Sequence, residues 1–291
     1  MAELLSGTEV SRSLDERTAK KAEMLRRRGV VPKLVIVRCG ENPSDLSYER
    51  GAMKRAEALG VRTHRIVLGD QATKEELLQV IRELNADTGV HGVLLFRPLP
   101  KHLAAFESGI CNALDPEKDV DSMTDISHAG VYENREIGFP PCTPEAVIKI
   151  LDHYGIEPAG SRVAVIGRSL VVGKPVAMML MARHATVTVC HTRTADVPGI
   201  TREADIVVSS AGVLRSLTRE HVREGQVIID VSINWDPSKK DGRGGIAGDA
   251  DFEEVEKVVK AITPVPGGVG AVTTSVLIEH VVRAAAKTVR E

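Results

Sequence analysis

The feature that most restricts the fold is a recurring alternation of short, β-branched apolar runs with longer helix-like segments. In the first half, Lys33–Cys39 and the runs at 61–68 and 90–96 read as strands, the last ended by Pro98 and Pro100. Residues 9–28, 46–59 and 74–84 read as helices. Gly60 stops the second of these, and Thr73-Lys-Glu-Glu76 is a capping box opening the third. In the second half the strands fall at 163–166, 186–190, 205–209, 227–231 and 261–263. A helix follows Pro175, another runs from a cap at Asp251 to Lys260, and a last one spans about 274–289. Strands joined through helices run parallel and are covered on both faces, so the expected class is α/β.

At 291 residues the chain is comfortable for two domains. Pro140-Pro-Cys-Thr-Pro144 marks the boundary, with Thr143 as N-cap and Pro144 at the first helical position. The expected division is residues 1–140 plus a returning 271–291, and residues 141–270 as a Rossmann-type dinucleotide-binding domain.

Composition excludes several classes. A net charge of −2 gives no basic excess for nucleic acid. No apolar run approaches a membrane span, and the N-terminus lacks a signal-peptide pattern. Four scattered cysteines without a Cys-x-x-Cys pair predict neither a metal site nor a disulfide framework. Free thiols suit a cytoplasmic location.

Three stretches carry candidate chemistry. Gly167-Arg168-Ser169, followed by Gly173-Lys-Pro175, is a strand–turn–helix whose backbone suits a phosphate, although a purely structural turn has the same pattern. The strand ending at Cys190 is followed by His191-Thr192-Arg193-Thr194. It lacks the acid that commonly binds the ribose hydroxyls of NAD. With Arg168, this favours the 2′-phosphate of NADP over NAD, the alternative being a solvated Arg193. In the first half, Tyr48 and Ala52 share a helix face, whereas Lys54 lies roughly 240° round from Tyr48. From the residues alone, Tyr48 reads first as a packed aromatic with its hydroxyl at the surface. The carboxylates Asp119 and Asp121 read either as solvated charge or as bidentate acceptors for an N–H pair.

Several motifs together resemble one family, over nearly the whole chain. They include Asn42-Pro-Ser44 with Tyr48, Pro98-Leu99-Pro100, Pro116-Glu-Lys-Asp-Val-Asp121, Pro141-Cys-Thr-Pro144 and the Gly167–Pro175 turn. Cys190-His191, Ile229-Asp-Val231 with Ile233-Asn234, Gly248-Asp249 and Thr263-Pro-Val-Pro-Gly-Gly-Val-Gly270 complete the set. The chain resembles the bifunctional methylenetetrahydrofolate dehydrogenase/methenyltetrahydrofolate cyclohydrolase family. The resemblance implies a folate-binding catalytic domain and an NADP-binding domain, the active site in the cleft between them, and a homodimer. It implies catalytic roles for Tyr48 and Asp121, with Tyr48 against the folate ring system and Asp121 on the pterin edge. Leu99, Pro264, Gly267 and Gly268 would complete the folate site. Gly167, Arg168, Ser169, Gly173, Thr192, Arg193 and Ile233 would serve the cofactor.

Two departures bear on mechanism. The family usually carries a lysine four residues after the tyrosine, where this chain has Ala52, and a glutamine where it has Phe96. A smaller departure is Ala271-Val272 in place of Pro-Met. Hydride transfer needs alignment and exclusion of water, whereas hydrolysis of the methenyl cation needs protons moved, a task suited to a tuned lysine. The expectation is a dehydrogenase with weak or absent cyclohydrolase activity. A fully bifunctional enzyme, a dehydrogenase of another substrate and a non-catalytic folate- or nucleotide-binding protein are the alternatives.

Overall fold

The computed structural model describes residues 1–239 and 243–289. The first half contains β1 (Glu3–Leu4), α1 (Gly7–Arg27), β2 (Lys33–Cys39), α2 (Pro43–Ala58), β3 (Arg62–Leu68), α3 (Lys74–Ala86), β4 (Gly92–Leu95), α4 (Glu107–Cys111) and α5 (Asp125–Glu133). There follow α6 (Cys142–His153), β5 (Arg162–Ile166), α7 (Gly173–Ala182), β6 (Thr186–Cys190), α8 (Val197–Glu203), β7 (Ile206–Ser209) and β8 (Val227–Asp230). The chain closes with β9 (Asn234–Asp236), β10 (Gly245–Ala247), α9 (Phe252–Val255), β11 (Ala261–Ile262) and α10 (Val269–Lys287).

These elements form two compact units. One comprises Ser13–Cys142 and the chain from Thr274 onward; the other comprises Met1–Arg12 and Thr143–Thr273. The first is built on a parallel sheet of order β3-β2-β4. Its central strand buries Leu34, Val35, Ile36 and Val37 completely, which explains the uninterrupted apolar run. Val35 and Val37 join Leu77 and Ile81 of α3 and Val93 and Leu95 of β4 in one core cluster. The Thr73–Glu76 capping box forms as the sequence predicts. Gly92 lets β4 be closely covered: a Cβ there would lie 2.8 Å from Val120 and 2.9 Å from Val281 of α10.

Arg38 follows the apolar run of β2 and is itself buried. Its Nε donates to Glu49 at 3.0 Å, and Arg65 of β3 reaches the other Glu49 oxygen at 3.2 Å. A buried carboxylate with two cationic partners ties α2 to two strands at once, which sets the rotation of the helix at the residue adjoining Tyr48.

The other unit is a six-stranded sheet of order β1-β11-β8-β7-β5-β6, parallel throughout. From β5 the chain moves one way to β6 and then back to β7, β8 and β11, so the strand order reverses beside β5. That is the place where doubly wound sheets bind ligands, at the carboxyl ends of the strands.

Several elements differ from the sequence reading. Residues 1–12 belong to this second unit because Glu3 and Leu4 pair with Ala261 and Ile262 at the sheet edge. Two residues are too few to read as a strand by periodicity. Helix α6 starts at Cys142, so Thr143 lies inside it rather than capping it, and its hydroxyl lies 3.5 Å from that of Thr273. Helix α9 is a single turn and Asp251 makes no side-chain cap bond, where a helix reaching Lys260 was expected. The antiparallel hairpin β9–β10 was not anticipated. Its Trp235 is 65% exposed, and Gly244 packs so closely that a Cβ would lie 2.2 Å from the indole. Helix α10 begins at Val269, earlier than its apolar face suggests. Among the described residues it alone is long and apolar enough to cross a membrane, yet 61% of the relevant window is buried inside the protein, as in a core helix.

Candidate active site

In the first unit the α2 register presents Tyr48 beside Phe96, which follows β4. The rings meet edge to face, with centroids 6.0 Å apart and planes at 86°. Ala52, one turn along from Tyr48, is completely buried. Burial pushes the Tyr48 hydroxyl well above its ordinary range, the charge of Asp121 adds to this, and a hydrogen bond with Thr274 opposes it. Tyr48 and Asp121 are therefore electrostatic neighbours, a convergence that the sequence left open.

The two carboxylates of the Asp119–Asp121 pair have different work. Asp119 is fully buried. It accepts the backbone N–H groups of Met123 (2.8 Å) and Thr124 (2.9 Å) and the hydroxyls of Thr124 (2.7 Å) and Ser127 (2.6 Å). It organises the loop and the start of α5, and its complete burial keeps it from a ligand. Asp121 is half-buried and accepts one backbone N–H, from Cys142 at 3.2 Å. Burial raises its pKa, the hydrogen bonding from Cys142 and the positive charge of Arg97 lower it, and Asp119 adds to the rise. Leu99 is buried and its backbone N–H is held by Glu107 at 2.7 Å. Lys54 belongs elsewhere: with Arg50, Arg62 and Arg65 it lines a groove that includes none of Tyr48, Phe96 and Asp121.

In the second unit Gly167 ends β5 with φ +120°, and a Cβ on it would lie 2.5 Å from the Ser210 hydroxyl. A Cβ on Gly173 would lie 2.3 Å from the Gly167 carbonyl. Both positions require glycine, as in a turn whose backbone must approach a ligand. The Ser169 hydroxyl accepts the N–H groups of Val172 (3.1 Å) and Gly173 (3.4 Å), shaping the entry to α7. Arg168, Ser169, Thr192 and Arg193 are exposed. His191 and Thr194 close the turn after β6 through the His191 N–H to the Thr194 hydroxyl at 3.0 Å, leaving Thr192 and Arg193 at its tip. A tight glycine turn at a helix start, together with exposed cations and no acid after β6, fits a phosphorylated dinucleotide.

Pro264, Gly267 and Gly268 line a hollow of about 290 Å³ together with Ile233 and Asp230, all in this second unit. Tyr48, Leu99 and Asp121 are in the first. Another hollow of about 420 Å³ lies against Arg162, Thr186 and Asp196, where none of the expected cofactor residues lines it. The sequence reading did not single out Thr274, Cys142 or Asp249 as acting on the site. Thr274 and Cys142 act on Tyr48 and Asp121, and Asp249 collects donors from two loops (below). Only the Cys142 and Asp249 motifs gave any signal.

Comparison with known proteins agrees with both units. Residues 5–121 match the catalytic-domain model of the tetrahydrofolate dehydrogenase/cyclohydrolase family, and residues 141–289 match its NAD(P)-binding-domain model. The bifunctional protein FolD of Clostridioides difficile is 45% identical over 282 residues, covering 97% of this chain and 96% of its own. The crystal structure of the bifunctional methylenetetrahydrofolate dehydrogenase/cyclohydrolase FolD of Campylobacter jejuni superposes with a TM-score of 0.94 at 37% identity, covering 99% and 100% of the two chains. The corresponding Trypanosoma brucei enzyme, solved with NADP cofactor and an inhibitor, has a TM-score of 0.92 at 34% identity, covering 100% and 99%.

Proposed function

Because the chain belongs to the tetrahydrofolate dehydrogenase/cyclohydrolase family, we propose that it oxidises 5,10-methylenetetrahydrofolate to the 5,10-methenyl cation with NADP, and that its cyclohydrolase activity is weak or absent. The observation that carries the second half is the Tyr48–Phe96 ring contact together with a fully buried Ala52 one turn beyond Tyr48.

NADP, when bound, supplies the hydride acceptor. Gly167, Ser169 and Gly173 would hold its pyrophosphate, Arg168, Thr192 and Arg193 its 2′-phosphate side, and Ile233 its other end. Asp121 would accept hydrogen bonds from the pterin edge, Tyr48 would pack on the ring system, and Leu99, Pro264, Gly267 and Gly268 would complete the wall. Hydride departure leaves a cation that the substrate's own nitrogens stabilise, so the protein needs alignment and exclusion of water rather than a proton carrier.

Opening the methenyl ring with water is different, because protons must be moved. The position one turn beyond Tyr48 offers a methyl group, and the position beside its ring offers a phenyl. Arg97 brings positive charge towards Asp121, but a guanidinium stays protonated and cannot shuttle a proton. Lys54 lines a different groove.

The test is purified protein with methylenetetrahydrofolate and NADP, followed by NADPH absorbance, with NAD in parallel. NADPH formation faster than NADH formation is expected; equal or better turnover with NAD overturns the cofactor assignment. Hydrolysis of methenyltetrahydrofolate measured against the uncatalysed rate decides the rest: robust enzymatic hydrolysis favours the fully bifunctional reading. Homodimeric assembly and a cytoplasmic location are further parts of this proposal, the first checked by light scattering in solution.

A further inference from the structure

Asp249 follows β10 and is fully buried, and six donors converge on its carboxylate. Oδ2 accepts from the Ser209 hydroxyl (2.9 Å), the Ala211 N–H (2.7 Å), the Gly212 N–H (3.4 Å) and the Ser232 hydroxyl (2.8 Å). Oδ1 accepts from the Val213 N–H (2.9 Å) and the Asn234 side-chain amide (3.1 Å). The donors come from two segments only: the end of β7 with the turn that follows it, and the segment leaving β8. A direct bond from the Gly212 N–H to the Ser232 hydroxyl, 3.1 Å, joins the same two segments.

Both segments leave the carboxyl ends of strands in the dinucleotide-type sheet, on the opposite side of β5 from β6. The adenosine side of such a ligand falls to the β5 and β6 ends, so its other half extends over β7 and β8. Each segment also carries a β-branched apolar residue left open to solvent: Val213 is 57% exposed and Ile233 is 66% exposed. A planar heteroaromatic ring is the ligand that two such side chains suit.

Resting on the cofactor assignment above, we propose that Asp249 is a positioning residue. Its carboxylate locks the β7 and β8 loops in the one arrangement in which Val213 and Ile233 receive the nicotinamide half of the dinucleotide. It touches no reacting atom. Replacing one oxygen by an amide group turns an acceptor into a donor facing donors, so the loops lose their common anchor without a change in side-chain size.

The experiment compares NADPH and adenosine 2′,5′-bisphosphate binding by titration calorimetry, with amide hydrogen exchange at Ala211, Gly212 and Val213, on the full chain. Asp249→Asn is expected to weaken NADPH by about tenfold or more and to speed exchange at the three amides, while the bisphosphate, lacking the nicotinamide half, binds within twofold of wild type. Ser209→Ala removes one donor and should weaken NADPH a few-fold with the same split; it decides the matter if Asp249→Asn does not fold. Unchanged NADPH affinity in a folded Asp249→Asn, equal losses for both ligands, or an unaltered Ser209→Ala standing in for it overturns the proposal. A wild-type chain that binds neither ligand overturns the cofactor assignment as well, whereas failure confined to the variants' pattern overturns the Asp249 role alone.

Discussion

Phe96 presents its ring edge-to-face to Tyr48, at 6.0 Å between centroids, and Ala52, one turn along the same helix from Tyr48, is completely buried. A proton relay and an apolar ring pair make opposite demands on the same few ångströms, because a cation there needs hydrogen-bond partners that a phenyl cannot supply.

The pair is therefore expected to respond as a unit. Ala52→Lys alone places an unpaired amine at a fully buried position and should cost about 3 kcal/mol or more. Adding Phe96→Gln gives the amine a partner. A double-mutant cycle in urea should show a favourable coupling above about 1 kcal/mol, and the double variant should hydrolyse methenyltetrahydrofolate faster than its parent. Additive effects with no gain in hydrolysis would count against the role assigned to these positions.

Tyr48→Phe retains the ring against Phe96 and removes only the hydroxyl that meets Thr274. Stability should change by less than about 1 kcal/mol, while dehydrogenase turnover falls about tenfold, because the Thr274 bond no longer fixes where the ring meets the folate and alignment is what hydride transfer needs. Turnover equal to wild type would return Tyr48 to the status of a packed aromatic.

Asp119 and Asp121 should separate cleanly. Asp119→Ala strands four donors and is expected to lower stability by about 3 kcal/mol, read by thermal melting. Asp121→Asn, with a single backbone donor to lose, should melt near wild type and lose folate affinity. The reverse pattern would exchange their roles.

Asp230 gives the protein a pH signature. It is buried, and its carboxyl is pushed from 3.8 up to about 6 by burial first, against hydrogen bonds from Ala250 and Asp249. Between those values the folded state holds a proton that the unfolded state has released. Its contribution is complete below about pH 4 and disappears as the pH rises through 6, roughly 3 kcal/mol in all. Asp230→Asn should flatten that part of the stability profile, measured by circular dichroism at several pH values; an identical slope in the variant would remove Asp230 as its source.

The alternation of strands and helices was legible because β2, β5, β7 and β8 are buried on both faces and so read as continuous apolar runs. The glycine turn was legible because Gly167 and Gly173 tolerate no Cβ. Strand β1 and the hairpin β9–β10 were not, because two or three residues carry no periodicity and their pairing partners are distant in sequence. At the candidate site, residue types were readable but their division of labour was not. Only the donors around Asp119 show that it is committed to its own loop and Asp121 is not. Asp249 was quoted merely as part of a motif, because its six donors come from segments up to 40 positions away.

Trp235 is the single tryptophan of the chain, and it stands largely in solvent on the β9–β10 hairpin. The intrinsic emission of this protein is thus a local gauge. It responds to events at the hairpin, one residue from Asn234 and two from Ile233, and changes little in wavelength when the buried sheets come apart. The unit that carries Tyr48 and Asp121 has no tryptophan signal at all, so its unfolding is spectroscopically dark to that probe and has to be followed through the backbone.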